Sequence, residues 1–284
     1  MTSVAASVTA SRQSALSRTW TFLRHHLLTL YALLAFTYLM LPIGVVIAFS
    51  FNDPTGRFNY VWSRFTFDNW LHWDAIPALR SAIVLSLEIA LIASILATVL
   101  GTLIALALVR YGFRGRGATN LLIFLPLSTP EIVLGASLLA LFLNRHIARG
   151  FTTILIAHIM FCVSFAVVTV KARLIGFDRH LEEAAMDLGA NEWTTFRKVT
   201  LPLIAPAILA SLLLCFAISI DDFVVTYFNA GSKVTFPLFV WGAARVGAPP
   251  QVNVIGTAIF LVAVIGMVAN VLFQIRREKS DATV

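Results

Sequence analysis

Six apolar runs dominate the chain, at about 27–51, 81–108, 120–143, 151–170, 203–220 and 253–275. A helix needs roughly 20 apolar residues to cross about 30 Å of hydrocarbon. The runs therefore predict six transmembrane helices in an all-α polytopic membrane protein. The fifth is short, and it draws Pro202 onward and part of 221–228 into its span. Residues 1–18 are rich in Ser, Ala and Thr and have little to bury, which predicts a mobile tail. Arg18, Arg24, His25 and His26 then precede the first run. That run far exceeds the roughly 7–15-residue core of a signal peptide, so it reads as a first membrane helix. The third run holds Pro126 and Pro130, each removing a backbone donor and inviting a kink. In the second, Ala93, Ala97, Gly101 and Ala105 recur every four residues, which lets another helix approach closely and favours a contact within the chain over a dimer seam. In the first connecting segment, Trp70 and Trp73 suit a short interfacial helix capped by Asp68, and a contact with an external partner would use the same residues.

Composition agrees with a bilayer protein: 59% of residues are hydrophobic and 12% charged. A net charge of +7 raises the question of nucleic acid, but the basic residues lie between apolar runs rather than in one patch. Topology accounts for them. With the N-terminus inside, Arg57, Arg64, Arg80, Arg145, Arg149, Lys233 and Arg245 fall outside, and the other two thirds of the 21 Lys and Arg fall inside. This bias predicts cytoplasmic N- and C-termini. Cys162 and Cys215 both lie in apolar runs, which gives no disulfide framework and no metal site. No Gly-x-x-x-x-Gly-Lys-Ser/Thr phosphate loop occurs, and Gly231-Ser232-Lys233 lacks the spacing. If ATP drives this protein, another chain binds it.

One polar stretch, 182–206, interrupts the apolar pattern. Leu181, Ala184, Ala185 and Leu188 fall at i, i+3, i+4 and i+7 of a short helix that Asp178 can cap. Gly189 suits a left-handed helix end. Asn191 can cap a second helix carrying Trp193, Phe196 and Val199, which Leu201-Pro202 is expected to stop. Two short helices hinged at Gly189-Ala190 suit docking to something outside the membrane.

Glu183-Ala184-Ala185, three residues, Gly189, nine residues, Val199 and Leu201-Pro202 together resemble the EAA loop of ABC-importer permeases. Val199 stands where isoleucine is usual. The resemblance implies the type I (MetI-like) ABC importer permease fold and a coupling loop at about 178–202 that fits a cleft on a separate ATPase subunit. It assigns Glu182, Glu183, Ala184, Ala185, Gly189, Leu201 and Pro202 to that coupling. Around this loop the chain divides into a cytoplasmic tail at 1–26, a permease domain at 27–275 and a second cytoplasmic tail at 276–284.

Ionised carboxylates inside a bilayer cost about 2.5–3.5 kcal/mol at a helix centre, so each needs a partner or a cavity. Glu131 lies about eleven residues into the third run, directly after Pro130; Glu88 lies nearer the outer end of the second; Asp221 and Asp222 close the fifth. Glu88 also fits a snorkelling or internally paired carboxylate. The Asp pair fits either a site for a small cation or a helix end held by Arg245 or Lys233. Acids at the outer half of the membrane suit a cationic cargo, and Phe223, Tyr227 and Trp241 offer faces for ammonium groups.

The segment from Ser219 to Val225, with Phe228, Gly231, Pro237, Arg245, Gly247, Pro249 and Asn253, resembles the second permease of spermidine/putrescine ABC importers, as does Pro130-Glu131-Ile132-Val133 with Ser137-Leu138-Leu139. The likeness covers most of 27–275. It implies a subunit of the bacterial cell membrane that forms half of a polyamine pathway through Glu131, Ser219, Asp221 and Asp222. It also implies a second, homologous permease, a homodimeric ATPase that binds ATP and Mg, and an extracytoplasmic polyamine-binding protein. The chain itself then breaks no bond and carries no cofactor. Another cargo (ferric iron, thiamine or a cationic amino acid) stays open. So do a proton-coupled secondary transporter using Glu131 and a membrane scaffold without transport, although no inverted repeat favours the former.

Overall fold

The computed structural model describes residues 2–281 and is built from helices. In chain order these are α1 (Thr2–Phe49), α2 (Asp68–Leu71), α3 (Pro77–Arg110), α4 (Arg116–Ser128), α5 (Glu131–Asn144) and α6 (Phe151–Ile175). There follow α7 (His180–Asp187), α8 (Glu192–Thr195), α9 (Leu201–Asp221), α10 (Val224–Asn229), α11 (Phe236–Val246) and α12 (Pro250–Asp281). Among the described residues, four stretches are long and apolar enough to cross a membrane: His26–Phe49, Pro77–Arg110, Phe151–Ile175 and Glu192–Asp221. The pair α4 and α5 makes a fifth if counted together, and α12 carries the sixth apolar run.

The chain forms two compact units. The first takes in residues 1–73 and 247–284. In it α1 lies along α12, with Val46 Cγ1 3.5 Å from where a Cβ on Gly256 would stand. α1 runs back through the segment expected to be a mobile tail. No Gly or Pro occurs before Pro42, so nothing interrupts the helical hydrogen bonds there. The segment after α1 is ordered by three buried asparagines, Asn52, Asn59 and Asn69. Asn52 donates to Asn59 Oδ1 (2.6 Å) and to the Val61 carbonyl (2.9 Å), and Asn69 donates to the Asn52 carbonyl (2.8 Å). Trp70 stacks on Phe51 and donates to Ser50 Oγ, so it serves this fold, whereas Trp73 stays exposed. Asp68 opens α2 without capping it through its side chain.

The second unit, 74–246, is centred on α3, α6 and α9. Ala93, Ala97, Gly101 and Ala105 are fully buried. A Cβ on Gly101 would stand 2.5 Å from Ala166 Cβ, so the small-residue stripe is the seat of α6, as the intrachain reading expects. Cys162 and Cys215 are free and buried, and each thiol donates to the other's carbonyl (3.6 and 3.4 Å). Around them Leu138, Phe142, Phe161 and Val225 close the core.

Two expectations about proline need correction. The third run is broken at one proline, not at two: α4 continues through Pro126, and α4 and α5 meet at 109°, with the break at Thr129-Pro130. Pro130 lacks the N–H that would continue α4, and it also pushes Thr129 into extended backbone. Nor does Leu201-Pro202 stop the helix begun at Asn191. Phe196–Thr200 forms a π turn, in which the Leu201 N–H reaches the Phe196 carbonyl, and α9 continues from it. The π register takes up one extra residue, and Pro202 falls in the first turn of α9.

Candidate functional site

The polar loop folds as its sequence suggests at three points. Asp178 accepts from the His180 backbone N–H (3.0 Å) and from His180 Nδ1 (2.7 Å). That side-chain bond holds the Asp178 carboxyl below its ordinary value and raises the imidazole. Gly189 adopts φ +89°, the left-handed end that an L side chain resists. Asn191 Oδ1 caps α8 through the Thr194 N–H at 2.8 Å.

Within α7 the inward residue is a carboxylate. Glu182 is paired with Arg110, the last residue of α3, and it accepts from the Thr200 hydroxyl in the π turn. Arg110 also donates to Thr200 Oγ1 (3.2 Å), and Arg179 donates to the Val109 carbonyl (2.9 Å). The loop is thereby tied to the ends of both α3 and α9. Leu181, Met186, Leu188 and Trp193 stay exposed, Leu188 by 90%. Glu183 and Ala184 are exposed as well, and Ala185 is half-buried. Four large apolar side chains around two short helices form the kind of surface that a partner covers. Of the predicted coupling residues, Glu182 is therefore engaged inside the chain, while Glu183, Ala184 and Gly189 face out. Leu201 and Pro202 begin α9 behind the loop.

The predicted pathway residues divide in a different way. Asp221 and Asp222 are neighbours in sequence but share no site. α9 ends at Asp221, which is exposed; Asp222 turns extended (ψ 119°) and folds its carboxylate over the start of α10. There it accepts from the Thr226 N–H (2.7 Å), the Thr226 hydroxyl (2.7 Å) and the Val225 N–H (3.3 Å). Its side chain is only 6% exposed. His158 of α6 lies beside it, with Nε2 3.3 Å from the carboxylate. His158 Nδ1 lies 2.7 Å from Ser219 Oγ, and Nε2 lies 2.9 Å from Thr226 Oγ1. One order of protons satisfies every group: Ser219 donates to Nδ1, Nε2–H donates to Thr226, and Thr226 donates to Asp222. The cluster joins α6, α9 and α10 through buried hydrogen bonds.

Glu131 is the first residue of α5, immediately after the break, and it is exposed. Among the described residues its carboxylate meets no hydrogen bond or ion pair. α5 is fixed by α10: a Cβ on Gly135 would stand 2.8 Å from Phe228 Cδ2, and Asn229 Nδ2 donates to the Gly135 carbonyl at 3.4 Å. Phe223, Tyr227 and Trp241 do come together, with Phe223 5.7 Å from Tyr227 and 5.2 Å from Trp241 between ring centroids. The guanidinium of Arg245 lies 4.5 Å from the Trp241 ring centroid. Neither Arg245 nor Lys233 pairs with the Asp residues, since Lys233 lines a cavity with Glu88.

Sequence reasoning missed His158, Thr226, Arg110 and Thr200. An ionisable residue seven positions into a span was a visible signal for His158, by the same cost that singled out the carboxylates. Arg110 and Thr200 carry no such signal, because nothing in the local sequence links the ends of two spans ninety residues apart.

Residues 97–279 match the family described as "Binding-protein-dependent transport system inner membrane component". The chain is 38% identical over 259 residues to the spermidine/putrescine transport system permease protein PotC of Haemophilus influenzae, covering 91% of this chain and 99% of that one. It is equally 38% identical over 256 residues to the putrescine transport system permease protein PotI of Escherichia coli, covering 87% and 90%. Among solved structures, it is similar in fold to a bacterial ABC transporter importing the acidic polysaccharide alginate, with TM-score 0.62 at 17% identity over 89% of this chain and 96% of the other. The MetNI methionine ABC transporter gives TM-score 0.52 at 15% identity over 73% of this chain and 96% of the other.

Proposed function

Because the chain belongs to the binding-protein-dependent transport system inner membrane component family, we propose that it is the permease subunit of an ATP-driven polyamine importer. The observation that carries the cargo is its 38% identity, over about nine tenths of the chain, to both spermidine/putrescine and putrescine permeases. The exposed carboxylates of Glu131 and Asp221, together with the Phe223–Tyr227–Trp241 cluster, support a cationic cargo, since ammonium groups gain from both kinds of group.

In this reading a second, homologous permease completes the pathway and an external binding protein delivers the polyamine. A homodimeric ATPase binds ATP and Mg and grips the loop through Glu183, Ala184, Ala185 and Gly189, against the exposed Leu181, Met186, Leu188 and Trp193. Both termini lie in the cytoplasm of a bacterium, following the Lys and Arg bias. Closure of the ATPase dimer pulls the loop, and the Arg110–Glu182–Thr200 tie passes that pull to α3 and α9 together. Leu201 and Pro202 hold the start of α9 for this purpose. Glu131 and Asp221 contact cargo briefly, while Ser219 and Asp222 hold the wall that presents them.

The test is uptake of labelled spermidine and putrescine in cells lacking this gene, complemented with wild type, Glu183→Ala, Glu131→Gln or Asp222→Asn, with membrane abundance measured for each. Wild type restores ATP-dependent uptake of at least one polyamine, Glu183→Ala uncouples it, and Glu131→Gln weakens it at normal abundance. Restoration of some other cargo, with polyamine uptake unchanged, would overturn the cargo assignment. Uptake indifferent to ATP would overturn the importer itself.

A further inference from the structure

The charged residues at the far end of α3 from the coupling loop have no role in the scheme above. α3 has 34 residues, or about 51 Å at 1.5 Å per residue, well beyond about 30 Å of hydrocarbon. Counting from Arg110, whose partners lie in the cytoplasmic loop, Glu88 stands about 33 Å along the axis. A second ruler agrees. Ile89 packs with Ile154 and Phe151 at the start of α6, and Phe151 stands about 30 Å from Lys171 near the other end of that helix. Glu88 thus marks the outer membrane boundary, and the first three turns of α3 rise through the headgroup region.

At this level a cavity of about 680 Å³ opens, lined by Asp74, Arg80, Val84, Glu88 and Lys233. Its volume falls in the range of small-molecule sites. Two acids and two bases share it, all four are exposed, and among the described residues none of the four makes an ion pair or a side-chain hydrogen bond. The balance of charge does not suit a polyamine, which the two cations would repel, nor a purely anionic group. From Val84 in the cavity wall an apolar stripe runs down α3 toward the membrane: Val84, Leu87, Leu91 and Ile95, at intervals of three and four, are 46%, 44%, 53% and 45% exposed.

We propose that this cavity is a phospholipid site that takes the phosphoethanolamine headgroup of an outer-leaflet lipid, with an acyl chain lying on the stripe. The phosphate lies toward Arg80 and Lys233 and the ammonium toward Asp74 and Glu88, so a zwitterion matches both pairs at once. A primary ammonium donates hydrogen bonds to both carboxylates, whereas a quaternary choline has none to give. The placement in the outer leaflet rests on the inside N-terminus of the proposed function; the headgroup preference does not.

The experiment is native mass spectrometry of the assembled importer released from nanodiscs containing equal parts phosphatidylethanolamine, phosphatidylglycerol and phosphatidylcholine. The expected result is selective retention of phosphatidylethanolamine, with Glu88→Gln combined with Lys233→Gln lowering the retained fraction about fivefold, the effect of losing two partly exposed charge contacts. Asp74→Asn with Arg80→Gln acts in the same direction, and because all four side chains are exposed the complexes assemble normally. Equal retention of the three lipids, or unchanged retention in both double variants, overturns the proposal. So does cross-linking of Ser81→Cys to another subunit with no lipid retained, which would mean that protein fills the cavity. Cargo plays no part in this readout, so an error in the polyamine assignment would show in uptake and leave lipid retention untouched.

Discussion

Glu182 and Arg110 lie 72 residues apart in sequence and form one ion pair, with the Thr200 hydroxyl bonded to the same carboxylate oxygen. Both side chains are largely withdrawn from solvent, at 13% and 28% exposure, so removing one leaves the other poorly solvated. Glu182→Ala is expected to loosen the loop by roughly 1–3 kcal/mol. Amide exchange across 180–200 measures it: protection falls there while the centres of α3 and α6 keep theirs. Exchanging the charges, Arg110→Glu with Glu182→Arg, recovers part of the protection. Equal protection in wild type and Glu182→Ala would mean that the pair holds nothing.

The adjacent acids at the end of α9 should behave in opposite ways. Asp222→Ala removes the cap of α10 and the partner of a buried histidine, at a cost of about 1–3 kcal/mol. Asp221→Asn touches an exposed group, so it leaves thermal stability unchanged and lowers polyamine uptake. Thermal melting of each purified variant, set beside its uptake, separates the two. Matching losses of stability at both positions would contradict the division between them.

Gly135 is required by close approach rather than by backbone conformation. Gly135→Ala drives a methyl to 2.8 Å from Phe228 Cδ2 and 3.3 Å from Val225 Cα, an overpacking that costs about 1–3 kcal/mol. Phe228→Leu in the same chain makes room and recovers part of that loss, a coupling that a double-mutant cycle reads directly.

Asp178 and His180 give the loop a dependence on pH. The hydrogen bond between them raises the imidazole above its ordinary 6.5 and lowers the carboxyl below its ordinary 3.8. The histidine's contribution is complete below its unfolded pKa and fades as pH rises through the raised folded value. The aspartate's is complete above its unfolded pKa and fades as pH falls through the lowered one. The start of α7 is therefore tightest in mildly acidic solution. A ring-proton titration of His180 should show a midpoint above 6.5 that moves down in Asp178→Asn.

Much of this architecture is legible in the residues. Long apolar runs locate the spans, because a bilayer leaves few alternatives to helix, and Gly189 and Asn191 carry their conformations in their own chemistry. What eludes the sequence is which neighbour answers a polar group. Asp221 and Asp222 look alike in the chain, yet one extended residue at the end of α9 gives them different surroundings. Pro130 and Pro202 also look alike. The first breaks a span by 109°, and the second sits inside a continuous one because a π turn precedes it.

That π turn makes the junction tolerant of changes in chain length. A π turn is an α-helix holding one residue more than its pitch needs, so Phe196–Thr200 is a reserve of backbone between the loop and the membrane helix. Deleting one residue there draws on the reserve and leaves both flanks seated: Asn191 still caps α8, and Cys215 still faces Cys162. The same deletion in mid-α9 would turn every later side chain by about 100°. This is the segment where the chain can lose one residue without opening a loop.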